Sequence, residues 1–322
     1  MNLKSFLKLV EIRTKVASVV PLLLGTVYVI YRYQRFDLIN FLLFFCSLLF
    51  IDMTTTTLNN YFDWKRANKR HGYNFEIHNS IEKYHLQERT VVAVILGMLF
   101  LAVAAGILLV TRTNLVVLAV GALSFLIGIC YSFGPLPISR TPLGEAFSGF
   151  FMGFVIFFLS IYVHAYDSGI FSYTIEGTDI LFRMGMADIL SIFLVSFPLV
   201  CGIANIMLAN NICDLEDDIE NGRHTLPVYL GKKNSIFLFN ALYYASYADI
   251  LFLVVAGVLP VLCLAALITL FPVYKGMKLF NSLQSKCDTF PVAVKSFLLI
   301  GTTMTAALLI SWIFSYFYKL FV

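Results

Sequence analysis

This sequence predicts an all-α membrane protein, and three observations carry that prediction. Hydrophobic residues make up 59% of the chain and charged residues 13%, whereas a soluble domain carries roughly 25% charged residues. The mean hydropathy is high, at +0.83. The apolar residues also fall into nine runs, each near the ~20 residues that a helix needs to span a bilayer. We therefore expect a polytopic protein, organised as one domain over residues 1–322.

The apolar runs and the polar segments between them place the spans. The seventh and eighth runs form one long apolar stretch, but Gly257 and Pro260 predict a helix break inside it. The nine expected spans are 16–31, 38–58, 91–111, 114–133, 143–164, 187–209, 235–256, 258–274 and 296–318.

The N-terminal segment has the pattern of an amphipathic helix on the membrane surface. Leu3, Phe6, Leu7 and Val10 follow i, i+3, i+4, i+7 spacing, with lysines between them. The apolar segment that follows has no clear cleavage site, so we expect a retained first span and not a signal peptide.

The distribution of basic residues predicts the orientation. With nine spans and an internal N-terminus, 18 of the 23 Lys and Arg residues fall on the cytoplasmic side. The net charge of +4 therefore reflects membrane topology, and it does not call for a nucleic-acid partner. We expect a multi-pass protein of the cell membrane with its polar loops facing the cytoplasm.

Span six ends in an acidic stretch. Asn211, Asp214 and Asp218 are spaced i, i+3, i+7 and share one helical face, and Asn210 flanks that face one turn before Asp214. Carboxylates held together at a membrane boundary repel one another unless a cation neutralises them. Carboxylate and amide oxygens suit Mg²⁺. The stretch fits either a metal site or a solvated helix end.

Span two continues into a second polar stretch. Asn59 and Asp63 are i, i+4, so one amide and one carboxylate again share a face. The basic residues that follow are, by themselves, typical of positive-inside anchors. Because four spans separate the two stretches, we expect both at the same membrane face. Facing each other, they would bind Mg²⁺, and the nearby cations would bind what the metal bridges, such as a diphosphate.

Four segments carry a more specific pattern: IRTKVASVVPLLLGT (12–26), NNYFD (59–63), YSFGPLPISRTPLGE (131–145) and NNICDLEDDIENGRHTLPVYLG (210–231). Together they resemble the UbiA superfamily of intramembrane aromatic prenyltransferases, and the form of the last is most similar to the MenA branch. The resemblance implies nine helices around a central cavity. It also implies Mg²⁺-dependent transfer of a polyprenyl group from an allylic diphosphate to an aromatic acceptor, which in the MenA branch is 1,4-dihydroxy-2-naphthoate.

The first motif departs from the usual form of this family. A further aspartate is expected four or six residues after Asp63, and those positions hold Ala67 and Lys69. The residue after the first asparagine is usually Asp, and here it is Asn60. These differences predict a weakened metal site, or one that borrows Glu76 from the loop, and impaired catalysis or an altered substrate stay open as further alternatives.

The resemblance also implies roles for particular side chains. Tyr131 is the candidate for stabilising the allylic cation, and Arg140 for holding the acceptor carboxylate that is lost as carbon dioxide. The expected diphosphate ligands are Arg13, Lys15, Arg66 and Arg223. The expected metal ligands are Asn59, Asp63, Asn210, Asn211, Asp214 and Asp218, with Asp63, Asp214 and Asp218 carrying the catalysis.

Two alternatives stay open at this stage. A sister prenyltransferase would use 4-hydroxybenzoate, homogentisate, haem or a glycerol-phosphate lipid as acceptor. A transporter would place its acidic residues near the membrane midplane, on interrupted helices within repeated halves. Here the acids gather at one face and no internal repeat is evident, which favours the enzyme.

Overall fold

The computed structural model describes residues 1–65, 79–134, 137–176 and 179–321. Within these ranges nine helical segments are long and apolar enough to cross a membrane, as the sequence predicts. The spans are Ile12–Tyr33, Leu38–Lys65, Glu88–Arg112, Leu115–Ser132, Gly144–Tyr162, Met186–Cys213, Leu226–Val255, Val261–Ser282 and Pro291–Tyr318.

Several spans are assembled from more than one helical segment. A 3-10 turn at Ile12–Lys15 leads into the first span, a π-helical segment at Gly149–Val155 interrupts the fifth, and a 3-10 helix at Val261–Thr269 opens the eighth. The α-helices are α1 (Leu3–Leu9), α2 (Val16–Tyr33), α3 (Leu38–Lys65), α4 (Ser80–Lys83), α5 (Glu88–Arg112), α6 (Leu115–Ser132), α7 (Gly144–Ser148), α8 (Ile156–Tyr162), α9 (Met186–Cys213), α10 (Leu215–Glu220), α11 (Leu226–Val255), α12 (Leu270–Ser282) and α13 (Pro291–Phe321).

The predicted break between spans seven and eight is confirmed. Helix α11 ends at Val255, and Gly257 follows with a φ of 71°, a conformation that glycine adopts without steric cost. Pro260 then caps the 3-10 helix of span eight. A second glycine, Gly231, has a φ of 75° and kinks α11 near its start, just after the second acidic stretch.

One element was not predicted. Strands β1 (Phe171–Glu176) and β2 (Asp179–Met184) form an antiparallel hairpin between spans five and six, with Phe171 opposite Met184. The alternation of apolar and polar residues in β1 is the signal that indicates a strand. Over the described residues the fold is therefore nearly all-α, with one hairpin at a bundle end.

Helix α9 packs closely against span five. A Cβ atom placed on Gly153 would lie 2.7 Å from the Cα atom of Val200 in α9, and one on Gly149 would lie 2.7 Å from the Val200 carbonyl oxygen. Only glycine permits this approach. The close packing carries the N-terminal end of span five to the C-terminal end of α9, where the acidic stretch begins.

Polar contacts tie the helices together at the opposite end of the bundle. Asp37 accepts a hydrogen bond from Arg112 at 3.1 Å, and its own N–H donates to Nδ1 of His164 at 3.1 Å. His164 is 6% exposed. Its burial lowers its pKa to about 4, although the nearby Asp37 carboxylate acts in the other direction. These residues position the helix ends far from the acidic motifs.

Candidate active site

The second acidic motif lies where α9 passes into α10. Helix α9 ends at Cys213, and Asp214 caps it with a φ of −96°. The Asp218 N–H then donates to the Asp214 carbonyl at 2.8 Å, so the chain keeps a helical course across the junction. The Asn210 amide approaches the Asp214 carboxylate at 3.4 Å. The predicted shared face is thus present, with a short irregularity at Asp214.

Asp218 is a buried carboxylate with partners from the following loop. It is 2% exposed, the Thr225 hydroxyl donates to it at 3.0 Å, and the Arg223 Nε atom lies 3.5 Å from its Oδ1 atom. Burial raises its pKa above the ordinary aspartate value, while Arg223 and Thr225 act in the opposite direction. A buried carboxylate in this position favours a bound cation.

Asn211 faces a residue that the sequence did not single out. Its Nδ2 atom donates to Oε1 of Glu145 at 2.8 Å, and both side chains are almost fully buried. Glu145 is the second residue of α7. This contact attaches the N-terminal end of span five to the second acidic motif.

The first motif lies at the same end of the bundle. Asp63 is on the last turns of α3, and its Oδ1 atom is 3.7 Å from the Arg140 guanidinium. The Arg140 carbonyl in turn accepts the N–H of His224, which belongs to the second motif, at 3.0 Å. The loop at 137–143 therefore bridges the two motifs. Arg140, which the sequence assigned to the acceptor carboxylate, pairs with Asp63 here.

Asn59 and Asn60 point in different directions from α3. Asn59 is half-buried one turn before Asp63. Asn60 is 7% exposed, and its Nδ2 atom donates to the Leu9 carbonyl at 3.0 Å and to the Glu11 carboxylate at 3.2 Å. The residue that replaces the usual aspartate therefore holds the N-terminal segment against α3.

The predicted diphosphate ligands are dispersed. Arg13 is exposed, Arg223 accompanies Asp218, and Arg66 lies outside the described residues, as do Ala67, Lys69 and Glu76. Lys15 is 3% exposed and pairs with Asp52 at 2.6 Å. Asp52 is 11 residues before Asp63 on α3, or roughly 16 Å along the helix axis. The Lys15 side chain is thus distant from the acidic motifs, because it is bound to Asp52.

A lysine from outside the motifs takes a place that the sequence did not predict. Lys286, in the loop between α12 and α13, contacts the Asp214 carboxylate at 2.5 Å. The sequence indicates for Lys286 only a position among the basic residues of the predicted cytoplasmic side. Asp63, Asp214 and Asp218 therefore each have a basic partner, namely Arg140, Lys286 and Arg223.

A long apolar cavity of about 490 Å³ lies beside this cluster, between α3, α5, α6 and span five. Its lining on α6 runs from Val117 to Tyr131, which is about 21 Å along the helix. Tyr131 lies at the end near the motifs, since a Cβ atom on Gly144 would be 3.8 Å from its hydroxyl. Gly144 adjoins Glu145, so the cavity reaches the residues that contact Asn211.

The donor set at the motifs fits Mg²⁺. Its candidate ligands are carboxylate and amide oxygens, which this metal prefers. Among the described residues, no three His, Cys, Asp or Glu side chains cluster closely enough to form a complete metal cage. Mg²⁺ is usually held by one or two carboxylates together with water and substrate phosphates, so an incomplete protein cage suits a site that a diphosphate completes.

Comparison with known proteins gives a family match and a curated relative. The family described as the UbiA prenyltransferase family matches residues 18–290. The 1,4-dihydroxy-2-naphthoate octaprenyltransferase of Bacillus subtilis (strain 168) is 32% identical over 244 residues, which cover 76% of this chain and 71% of that protein.

Solved structures share the fold. A UbiA homologue from Aeropyrum pernix K1 superposes with a TM-score of 0.65 at 17% identity, covering 90% of this chain and 97% of that one. A UbiA homologue from Archaeoglobus fulgidus bound to GPP and Mg²⁺ gives a TM-score of 0.64 at 14% identity, covering 94% and 98%. At these identities the likeness concerns the fold alone.

Proposed function

Because this chain belongs to the UbiA prenyltransferase family and is a prenyltransferase, we propose that it transfers a polyprenyl group to 1,4-dihydroxy-2-naphthoate. The donor is an allylic polyprenyl diphosphate, and the prenyl group replaces the acceptor carboxylate, which leaves as carbon dioxide. The product is demethylmenaquinone. The name of the Bacillus subtilis relative supports this acceptor over those of sister prenyltransferases.

The observation that carries the proposal is the continuity between a charged cluster and an apolar cavity. The contact of Asn211 with Glu145, and the position of Tyr131 beside Gly144, join the acidic motifs to the cavity end. A polyprenyl diphosphate has the same two parts, a charged head and a long hydrocarbon tail. The head would lie at the motifs and the tail along α6.

We assign the metal to oxygen atoms of both motifs. Asp214 and Asp218, flanked by Asn210 and Asn211, would bind it from α9 and α10, and Asn59 and Asp63 would bind it from α3. When bound there, Mg²⁺ neutralises negative charge on the departing diphosphate. The Archaeoglobus fulgidus homologue is bound to GPP and Mg²⁺, which supports a metal requirement.

The basic side chains have two sets of partners in this proposal. Lys286 and Arg223 pair with Asp214 and Asp218 in the structure. In the complex with substrate these two cations would contact phosphate oxygens, which would leave the carboxylates of Asp214 and Asp218 available to hold the metal. We keep the predicted role of Arg140, since a guanidinium binds a carboxylate through two parallel hydrogen bonds and its side chain is one-third exposed beside Asp63.

The cavity supplies the environment that an allylic cation needs. Its lining is almost entirely apolar, which excludes water that would otherwise capture the cation. Aromatic faces attract positive charge, and Tyr131, Phe147 and Phe151 line the end of the cavity near the motifs. The distribution of basic residues supports a cytoplasmic position for this end.

The test uses purified protein in lipid nanodiscs with Mg²⁺ and one radiolabelled polyprenyl diphosphate. Separate reactions receive 1,4-dihydroxy-2-naphthoate, 4-hydroxybenzoate or homogentisate. We expect prenylated product and released carbon dioxide with the naphthoate alone, and loss of product after Asp214→Asn. The matched control is Asp37→Asn, which removes an aspartate paired with Arg112 at the far end of the bundle. Product from another acceptor, or unchanged turnover in Asp214→Asn, contradicts the proposal.

A further inference from the structure

The apolar cavity contains one charged side chain that the reaction described above does not use. Asp52 lines the cavity and is the only charged residue among the described residues that do so. It lies in the middle of the membrane-spanning helix α3. An ionisable group inside a span is costly to keep, so its presence there points to a function.

The carboxylate of Asp52 is held in place by two side chains of the first span, Lys15 and Ser18, of which Ser18 also lines the cavity. Lys15 donates to its Oδ1 atom at 2.6 Å and to the Thr56 hydroxyl at 2.6 Å, and Ser18 donates to its Oδ2 atom. Lys15 is 3% exposed and does not line the cavity, whereas the Asp52 side chain retains 11% exposure. A carboxylate offers about four acceptor positions, so these two partners leave acceptor capacity toward the cavity.

The ligand that meets this carboxylate must bring a hydrogen-bond donor. A prenyl chain has no donor, and a diphosphate carries the same sign of charge as Asp52. A hydroxyl group on an aromatic ring is a donor of the right kind. Asp52 lies seven residues before Asn59, or about 10 Å along α3, which leaves room for a ring between the diphosphate site and the carboxylate.

We propose that Asp52 binds a ring hydroxyl of the aromatic acceptor, and that Lys15 is the positioning residue that holds Asp52 in place; this inference rests on the proposed function. The hydroxyl donates its hydrogen bond to the carboxylate and keeps its proton. The hydrogen bond increases electron density on the ring, which favours attack on the allylic cation. The diphosphate would then lie at the acidic motifs beside the cavity, the prenyl tail along α6, and the ring hydroxyl of the acceptor at Asp52.

The test combines changes in the protein with changes in the acceptor. Calorimetry on the Mg²⁺-containing protein in nanodiscs gives the Kd of 1,4-dihydroxy-2-naphthoate and of the two analogues that each lack one ring hydroxyl. In the unmodified protein, we expect one of the two analogues to bind about tenfold more weakly than the dihydroxy compound. That analogue lacks the hydroxyl that would donate a hydrogen bond to Asp52, so the carboxylate is left without a donor. In Asp52→Leu, we expect the two to bind within about twofold of each other, with the KM for polyprenyl diphosphate unchanged within the same factor.

A structural role for Asp52 would lower the affinity for all acceptors equally and leave their ratio unchanged. Because Asp52→Leu leaves Lys15 buried without its partner, the double variant Lys15→Met, Asp52→Leu is measured as well, since it removes both charges. The control Asp37→Asn should retain the full preference. A preference for the dihydroxy acceptor that persists in both Asp52 variants overturns the inference. Failure of the unmodified protein to prenylate the naphthoate at all would instead overturn the proposed function.

Discussion

Replacing Asn60 by aspartate restores the residue that is usual in this family, and the structure predicts that the change is harmful. The Asn60 Nδ2 atom donates to the Leu9 carbonyl and to the Glu11 carboxylate. An aspartate loses both donors and places a second carboxylate beside Glu11. The side chain is bound to the N-terminal segment, so we expect the added charge to act on Glu11 and not to serve the metal site at Asp63.

The expected penalty has two parts. Each lost hydrogen bond costs about 1 kcal/mol, so an uncharged replacement such as Asn60→Leu should lose roughly 2 kcal/mol at any pH. The buried carboxylate adds a second part, because a charge at this nearly buried position loses its hydration and lies beside the Glu11 carboxylate.

The assay measures unfolding free energy in detergent at pH 7 for the parent, Asn60→Asp and Asn60→Leu. We expect Asn60→Leu to lose about 2 kcal/mol and Asn60→Asp to lose about 3 kcal/mol more than that, because an unpaired buried charge adds several kcal/mol to the cost of the lost hydrogen bonds. The Mg²⁺ concentration for half-maximal activity should not fall in Asn60→Asp. An aspartate variant as stable as the parent with a lower Mg²⁺ requirement would show that residue 60 faces the metal, which refutes this reasoning.

Three further predictions follow from single contacts. Lys286→Met removes the cation that competes with Mg²⁺ for Asp214. Calorimetry should therefore show that Mg²⁺ alone binds about threefold more tightly and that the Mg²⁺-diphosphate complex binds more weakly. Weaker binding of both would contradict the pairing. Gly121→Phe projects a ring into open space in the cavity lining, so the longest prenyl chain transferred should shorten. Gly97→Phe is the control, because Gly97 also faces open space but lies outside that lining, and equal shortening in both variants would exclude the cavity as the tail channel. His164 is held neutral by burial with a pKa of about 4, so its contribution to stability is complete above pH ~6.5 and is lost as the pH falls toward 4. The unfolding free energy is measured at pH 7 and at pH 4.5, and the decrease between the two should be roughly 2–3 kcal/mol smaller in His164→Phe than in the parent. The same decrease in both proteins would contradict this prediction.

The spans could be predicted from the sequence because the membrane imposes a length and a composition on each of them. Every expected span overlaps an observed helix, and the break at Gly257 and Pro260 has a local cause that a single sequence reveals. The hairpin at 171–184 was missed because a short alternating pattern gives a weak signal beside long apolar runs.

The site was predictable only where local spacing carries it. Asp214 and Asp218 share a helical face because they are four residues apart. Asp63 lies at the same end of the bundle because an even number of spans separates it from them. The partners of these residues come from distant parts of the chain. Lys286 is 72 residues from Asp214, and Asn211 is 66 residues from Glu145. No residue pattern in the sequence indicates such pairings, because they depend on how the helices pack.

The departure of the first motif from its family pattern shows the same limit. From the sequence, Asn60 indicated lost negative charge at the metal site. The structure gives it a different task, because the side chain points toward Leu9 and Glu11. The direction of a side chain around a helix decides whether a changed charge acts on the site.

Whether one metal-bound diphosphate bridges the two motifs can be measured directly by a double-mutant cycle on substrate binding. Calorimetry with polyprenyl diphosphate and Mg²⁺ would compare the parent, Asp63→Asn, Asp214→Asn and the double variant. If both aspartates hold the same substrate, each single change should weaken binding about tenfold or more, and the double variant should be little worse than the weaker single variant. Effects that multiply independently, or an Asp63→Asn variant that binds like the parent, would contradict a shared site.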